Sequence, residues 1–252
     1  MKHIITSLII GISLLLATDL IIHKTDGTTV SIPIGNIESI TFGISVSCGT
    51  VTDIDGNIYQ TVQIGDQCWM AENLKVTHYK NGTEIPTGYS NYEWANLSTG
   101  AYAVYDDNES NADTYGYLYN WYAVDDDRGV CPANWNVPTD GEYTALSNYL
   151  GGEVLAGGKL KECTPGSCPE SEYWNSPNGG ATNESGFTGL PGGYRNNSNG
   201  NYLSMGLYGY FWSSTEDFSS IAWYRVLVYS NSEVGRDYNN KESGFSVRCV
   251  RD

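Results

Sequence analysis

Apolar and polar residues alternate in short runs along this chain, and Gly, Asn, Asp and Ser punctuate the runs. Near the start, LIIHK and TTVSIPI flank Asp26-Gly27, which predicts a β-hairpin, and NIESITF (36–42) adds a third strand. The same grammar returns in TVTDIDGNIYQTVQIGDQCW (50–69), with Asp55-Gly56 as the turn. The cluster from Asp53 to Asn57 also has the opening of a calcium loop, but the twelfth position, which needs a bidentate acid, is Ile64. The turn reading is preferred. Helical spacing is rarer. Met70 to Leu74 is read as a short helical turn. Tyr115 to Val124 puts Leu118, Trp121 and Tyr122 on one side and predicts a short helix. The clearest helix is in NVPTDGEYTALSNYLGG: Thr139 and Glu142 form a capping box, Tyr143, Leu146 and Leu150 form a stripe, and Gly151-Gly152 stop it. Residues 81–113 and the stretch from Gly157 to about Gly206 read as loops. The last segment, Gly209 to Asp252, reads strand, turn, strand, loop, strand.

Composition narrows the class. The 252 residues carry a net charge of −16, which disfavours nucleic acid and anionic lipid as partners. The aromatic residues are 20 Tyr and 7 Trp against 5 Phe, so most rings carry a polar handle suited to the boundary between core and solvent. Residues 1–17 give a basic start and an apolar run from Ile4 to Ala17, too short for a comfortable membrane span. They read as a secretory signal cleaved near Ala17, followed by a short β module and linker (18–47) and a main domain (48–252). The protein is therefore expected outside the cell or on its surface, with no membrane span.

Six cysteines in an exported chain imply disulfides, and six allow fifteen pairings. Cys163 and Cys168 enclose TPGS, a turn former, so a local bridge fits them. Zinc is disfavoured, since His is limited to His3, His23 and His78 and no CxxC occurs. Neither GxSxG, HExxH nor a P-loop is present. Glu216 and Asp217 would point to opposite faces of a strand, a poor acid–base pair. The run Asp125-Asp126-Asp127 reads as a solvated loop, and His78 as a surface histidine. No catalytic residue, metal or cofactor is assigned, calcium included.

The tail points to binding instead. Alternation sends Trp223, Arg225, Leu227 and Tyr229 to one face of a strand and Tyr224, Val226 and Val228 to the other. Tyr supplies rigid contact area, and Ser, Asn and Gly supply adaptable hydrogen bonds. The same mixture recurs in Gly192 to Tyr202. The candidate binding residues are Tyr194, Arg195, Asn196, Tyr202, Tyr224, Arg225, Tyr229, Asn231, Arg236, Tyr238 and Asn239.

Several blocks, in order, carry a resemblance: DIDGNIYQTVQIGDQCWMAENLK, YGYLYNWYAV, CPANWNVPTDGEYTALSNYLGG, WNSPNGGATNESGFTGLPGGYR, YGYFWSSTED and GFSVRCV. Together they resemble the Fibrobacter succinogenes major paralogous domain family, exported bacterial modules of largely undefined function, from about Thr50 to Asp252. NVPTDGEYTAL and GFSVR are also similar to blocks of the formylglycine-generating enzyme and C-type-lectin fold group. The resemblance implies an α+β, C-type-lectin-like domain, with two helices on small twisted antiparallel sheets and long loops. It also implies a Cys131–Cys249 bridge, which leaves Cys48 with Cys68. The tail further resembles the variable segment of lectin-fold targets of diversity-generating retroelements. The function expected is recognition of an extracellular glycan or protein, with no catalysis. The alternatives are a structural component of a bacterial surface assembly or, less favoured, an enzyme of the formylglycine-generating or carbohydrate-active kind. The oligomeric state is left open.

Overall fold

The computed structural model describes residues 19–23, 29–33 and 48–251. The chain divides into two units, residues 1–44 and 45–252. In the first, β1 (Asp19–His23) pairs antiparallel with β2 (Thr29–Pro33), from Asp19 opposite Pro33 to His23 opposite Thr29. This is the hairpin that the alternation around Asp26-Gly27 predicts. The turn itself, the expected third strand and the expected signal segment lie outside the described residues.

The second unit opens with a meander of β3 (Thr50–Thr52), β4 (Ile58–Ile64) and β5 (Gln67–Met70). Asp53 makes the first turn: its carboxylate accepts from the backbone N–H groups of Asp55 and Asn57, and from the hydroxyl of Tyr59 at 2.6 Å. The acid is thereby consumed by the turn. Met70 to Leu74 is not helical. There the Asn73 side chain leaves its own backbone to bind Arg248 and the Tyr115 carbonyl.

Next come α1 (Asn91–Trp94), β6 (Tyr102–Ala103), a 3-10 turn (Tyr105–Asp107), α2 (Ser110–Tyr115), β7 (Leu118–Tyr119) and α3 (Trp121–Val124). The segment expected as one helix over 115–124 is thus split. Leu118–Tyr119 is extended and pairs with Tyr102–Ala103, and Asn120 then caps α3 by accepting from the Ala123 N–H. An Asn that satisfies the free donors of a new helix favours a start there over continuation through it.

After β8 (Trp135–Asn136) the chain forms α4 (Asp140–Tyr149) with the predicted Thr139/Glu142 capping box, and Tyr143 and Leu146 are buried on its inner face. Then comes α5 (Glu153–Leu160), which runs into the stretch read as loop. Gly157 and Gly158 sit inside it because the neighbours leave no room for a side chain: a Cβ on Gly157 would lie 2.1 Å from the Glu233 carbonyl oxygen, and one on Gly158 2.2 Å from that of Gly180. Close packing here overrides the low helix propensity of glycine. The remaining strands are β9 (Tyr194–Arg195), β10 (Tyr202–Leu203), β11 (Tyr208–Phe218), β12 (Ile221–Val228), β13 (Val234–Asn240) and β14 (Val250–Arg251).

The unit is mixed α/β, with few helices and several small antiparallel sheets. The largest sheet has the order β3-β4-β5-β14-β8, and β11-β12-β13 form a three-stranded sheet. Alternation along the strands feeds two cores. Cys68, Met70, Trp212, Tyr224 and Cys249 join one, around Tyr119, Trp121 and Phe245. Trp69, Phe211 and Val250, their chain neighbours, join the other with Leu227, around α4 and α5. Three disulfides fasten the frame: Cys48–Cys68, Cys131–Cys249 and Cys163–Cys168. The second ties the segment before β8 to the residue before β14. Among the described residues no helix is long and apolar enough to cross a membrane.

Candidate ligand-binding face

The sequence YGYFW places Tyr208 and Tyr210 two residues apart on β11, and therefore on one face. Register puts Tyr210 opposite Val226, and Trp212 opposite Tyr224 of β12. Tyr194 arrives from β9. The rings close into one wall around Tyr210: Tyr194 lies at 5.0 Å, Tyr208 at 5.7 Å, Tyr224 at 5.7 Å and Phe245 at 4.9 Å between centroids. Phe245 stacks behind Tyr210 and roots the wall in the first core.

The hydroxyls of Tyr194, Tyr208, Tyr210 and Tyr224 make no hydrogen bond to the described residues, and none is shut away from solvent. Burial, with Asp237 and Tyr194 adding to it, pushes Tyr224 up to about 12. Burial raises Tyr210 as well, and Tyr224, Tyr194 and Tyr208 add to it. Both are neutral phenols at physiological pH, each able to donate and to accept. A rigid aromatic surface edged with free hydroxyls suits a ligand that offers both apolar faces and polar groups.

The opposite face of the same sheet carries a second aromatic group at its outer end. Trp223 stands opposite Tyr238, and their rings meet edge to face at 5.7 Å. The Arg236 guanidinium lies 3.6 Å from the Trp223 centroid. It is held there by Asp140, which accepts from Arg236 Nε at 2.9 Å and Nη2 at 3.0 Å. Phe218 and Tyr238 are 68% and 51% exposed beside it.

The candidate residues read from sequence separate into four groups. Tyr194 and Tyr224 join the tyrosine wall, with Tyr224 mostly buried, and Arg236 and Tyr238 join the Trp223 group. The cations Arg195 and Arg225 are correctly placed on their strands but are 1% and 2% exposed. Arg195 is sandwiched between Trp94 (4.5 Å) and Tyr202 (4.8 Å) and donates to the carbonyls of Gly200 and Tyr89. Arg225 faces α4 and donates to Asp140 and Thr144. Both guanidiniums are spent inside the fold and are not displayed, because helices and loops distant in sequence cover those faces.

The others serve turns or the core. Tyr202 donates to Asp107 at 2.6 Å, and Tyr229 packs on the second core. The side chains of Asn196, Asn231 and Asn239 accept from backbone N–H groups of Ser198, Glu233 and Asn240. Tyr208, Tyr210 and Trp223 are absent from the candidates read above, although the two-residue spacing of Tyr208 and Tyr210 is visible in the chain. Among the described residues no group of three or more His, Cys, Asp or Glu is placed to hold a metal ion. In WNSPN, Asn178 is buried and donates to the carbonyls of Glu162 and Pro169.

No curated protein and no solved structure matches the chain. The sequence model of the Fibrobacter succinogenes major domain matches residues 62–251. The resemblance seen in the sequence blocks and this match agree over the same region, and the chain belongs to the Fibrobacter succinogenes major domain family.

Proposed function

We propose that the protein is a secreted or cell-surface recognition module that binds a glycan or protein ligand through the sheet of β11, β12 and β13, without catalysis. The tyrosine wall is the observation that carries this reading: three tyrosine rings in contact with Tyr210, the four hydroxyls free of partners among the described residues. The apolar segment at the N-terminus supports export. A C-type-lectin-like architecture belongs to the same reading. It is supported by the Cys131–Cys249 bridge and by two helices beside a small twisted sheet.

A glycan array followed by calorimetry tests it. A saturable ligand should lose at least about tenfold in affinity, or ~1.4 kcal/mol, on Tyr210→Ala and on Tyr208→Ala. A flat array together with concentration-dependent polymerisation would favour an assembly role instead.

A further inference from the structure

A concave site lies on other elements, around a residue read above as a surface histidine. Residues Thr77, His78, Glu84, Ile85, Pro86, Thr87 and Tyr102 line a cleft of about 590 Å³. Ile85, which is buried, Pro86 and the Tyr102 ring, tilted against Tyr117 at 4.6 Å, form the apolar part of its lining beside the polar Thr77, His78, Glu84 and Thr87. His78 is oriented from behind. Its Nδ1 faces the Asp55 carboxylate at 2.6 Å, and the same carboxylate accepts from the Thr77 hydroxyl at 2.9 Å. That leaves the other ring nitrogen, Nε2, free of Asp55. Glu84 pairs with His78 across an isolated antiparallel bridge, so the two side chains share a face.

Glu84 is the one carboxylate in the lining. Tyr102 is raised above the ordinary phenol value by burial first, and then by the negative charges of Glu109, Asp55 and Glu84. No Lys or Arg lines the cleft. The two cations nearest along the chain are engaged elsewhere: Lys75 pairs with Asp113 at 3.6 Å, and Lys80 donates to the Trp135 carbonyl at 3.0 Å.

We infer that this cleft is a distinct ligand site for a small organic cation, an ammonium or methylated ammonium group seated over the Tyr102 ring and against Glu84. An aromatic face attracts a cation through its quadrupole, and the attraction grows when the walls exclude water. Glu84 supplies the opposite charge, and the His78 ring, fixed by Asp55, supplies one oriented polar edge. An anionic ligand would meet Glu84 with no Lys or Arg in the lining to offset it, since the His78 ring is already engaged by Asp55. The inference is independent of the tyrosine wall, since none of the lining residues belongs to β9 or β11–β13.

The test is an NMR titration of the full chain with three probes: tetramethylammonium chloride, methyl glucoside and sodium acetate. The ring resonances of His78 and Tyr102 are followed. Only tetramethylammonium should shift them saturably. Tyr102→Leu should weaken that binding about tenfold. Glu84→Gln, an exposed and nearly isosteric change, should weaken it by a smaller factor while leaving the fold intact. An equal saturable shift with glucoside or acetate overturns the inference. So does tetramethylammonium binding that neither variant alters, or the absence of any saturable shift in the unmodified protein.

Discussion

Arg225 of β12 reaches the carboxylate of Asp140, in the first turn of α4, at 2.7 Å. The contact crosses the second core and clamps the helix to the sheet. Asp140 also holds Arg236 at 2.9 Å, so one carboxylate serves a buried guanidinium and one at the surface. Removing it leaves Arg225 charged and unpaired in a buried place. Asp140→Ala should lower stability by about 3 kcal/mol, read by urea unfolding. Arg236→Ala should cost well under 1 kcal/mol, because that partner is more than a third exposed.

The same pair sets an acid limit. Burial alone would raise the Asp140 carboxyl, but hydrogen bonds from Arg236 and Arg225 overcome it and hold the carboxyl below its ordinary 3.8. A depressed carboxylate contributes fully above the unfolded value, and the contribution is lost as pH falls through the folded one. The unmodified protein should therefore lose stability more steeply below about pH 4 than Asp140→Asn. Chemical unfolding at successive pH values checks this.

Lys161 gives a pH response at the other end. Its ammonium is buried and donates to the carbonyls of Gly179 (2.9 Å), Val228 (2.9 Å) and Asn231 (2.8 Å). Burial pushes its pKa from 10.5 down to about 8. Between those values the unfolded chain binds more protons than the native one, so stability should rise as pH increases from about 8 towards 10. Lys161→Met should flatten that rise. It should also cost about 2–3 kcal/mol, since buried carbonyls lose their donor.

The disulfides should differ in worth. Cys131–Cys249 spans 118 residues and Cys163–Cys168 spans 5. On the chain-entropy account, replacing the first pair by Ala should cost about 5 kcal/mol and the second about 2 kcal/mol. Thermal unfolding of the two double variants decides it.

Gly157 and Gly141 make a matched contrast. Replacing a helical glycine by alanine ordinarily stabilises by roughly 1 kcal/mol. Gly141→Ala should follow that rule, because its Cβ would meet nothing nearer than the Thr139 hydroxyl at 3.8 Å. Gly157→Ala should instead destabilise by roughly 2 kcal/mol or more, because β13 and its approach must move aside.

What the chain disclosed in advance was local. The Asp55-Gly56 turn, the Thr139 capping box and the first two strands of the tail are set by neighbours a few residues apart, and each is present, whereas the stretch read as the tail's loop forms β13 and only Val250–Arg251 of the expected last strand is a strand. The family and its disulfides were legible from ordered blocks. What misled was medium, not direction. Alternation put Arg225 on the same face as Trp223, which is correct, but nothing near Arg225 announces that α4 covers that part of the face. Arg195 is hidden for the same reason, by Trp94 from a segment read as loop. Gly157-Gly158 looked like a break because the Glu233 and Gly180 carbonyls that require small residues lie far along the chain. The tyrosine wall is half legible in the chain: Tyr194 and Tyr224 stand among the candidate residues, and Tyr210, the residue that joins them, does not.

The buried cations have a consequence for the protein as a colloid. Lys161, Arg195, Arg225, Lys241 and Arg248 are all interior, so five of the chain's 13 basic residues never face the solvent. Lys161, Arg195 and Arg248 neutralise no surface acid, because they spend their donors chiefly on backbone carbonyls. The outer skin is thus closer to a pure polyanion than the composition suggests. Copies repel one another until salt shortens the Debye length to about 10 Å near 0.1 M. Crowding such molecules on a surface is therefore governed by ionic strength before any ligand is involved.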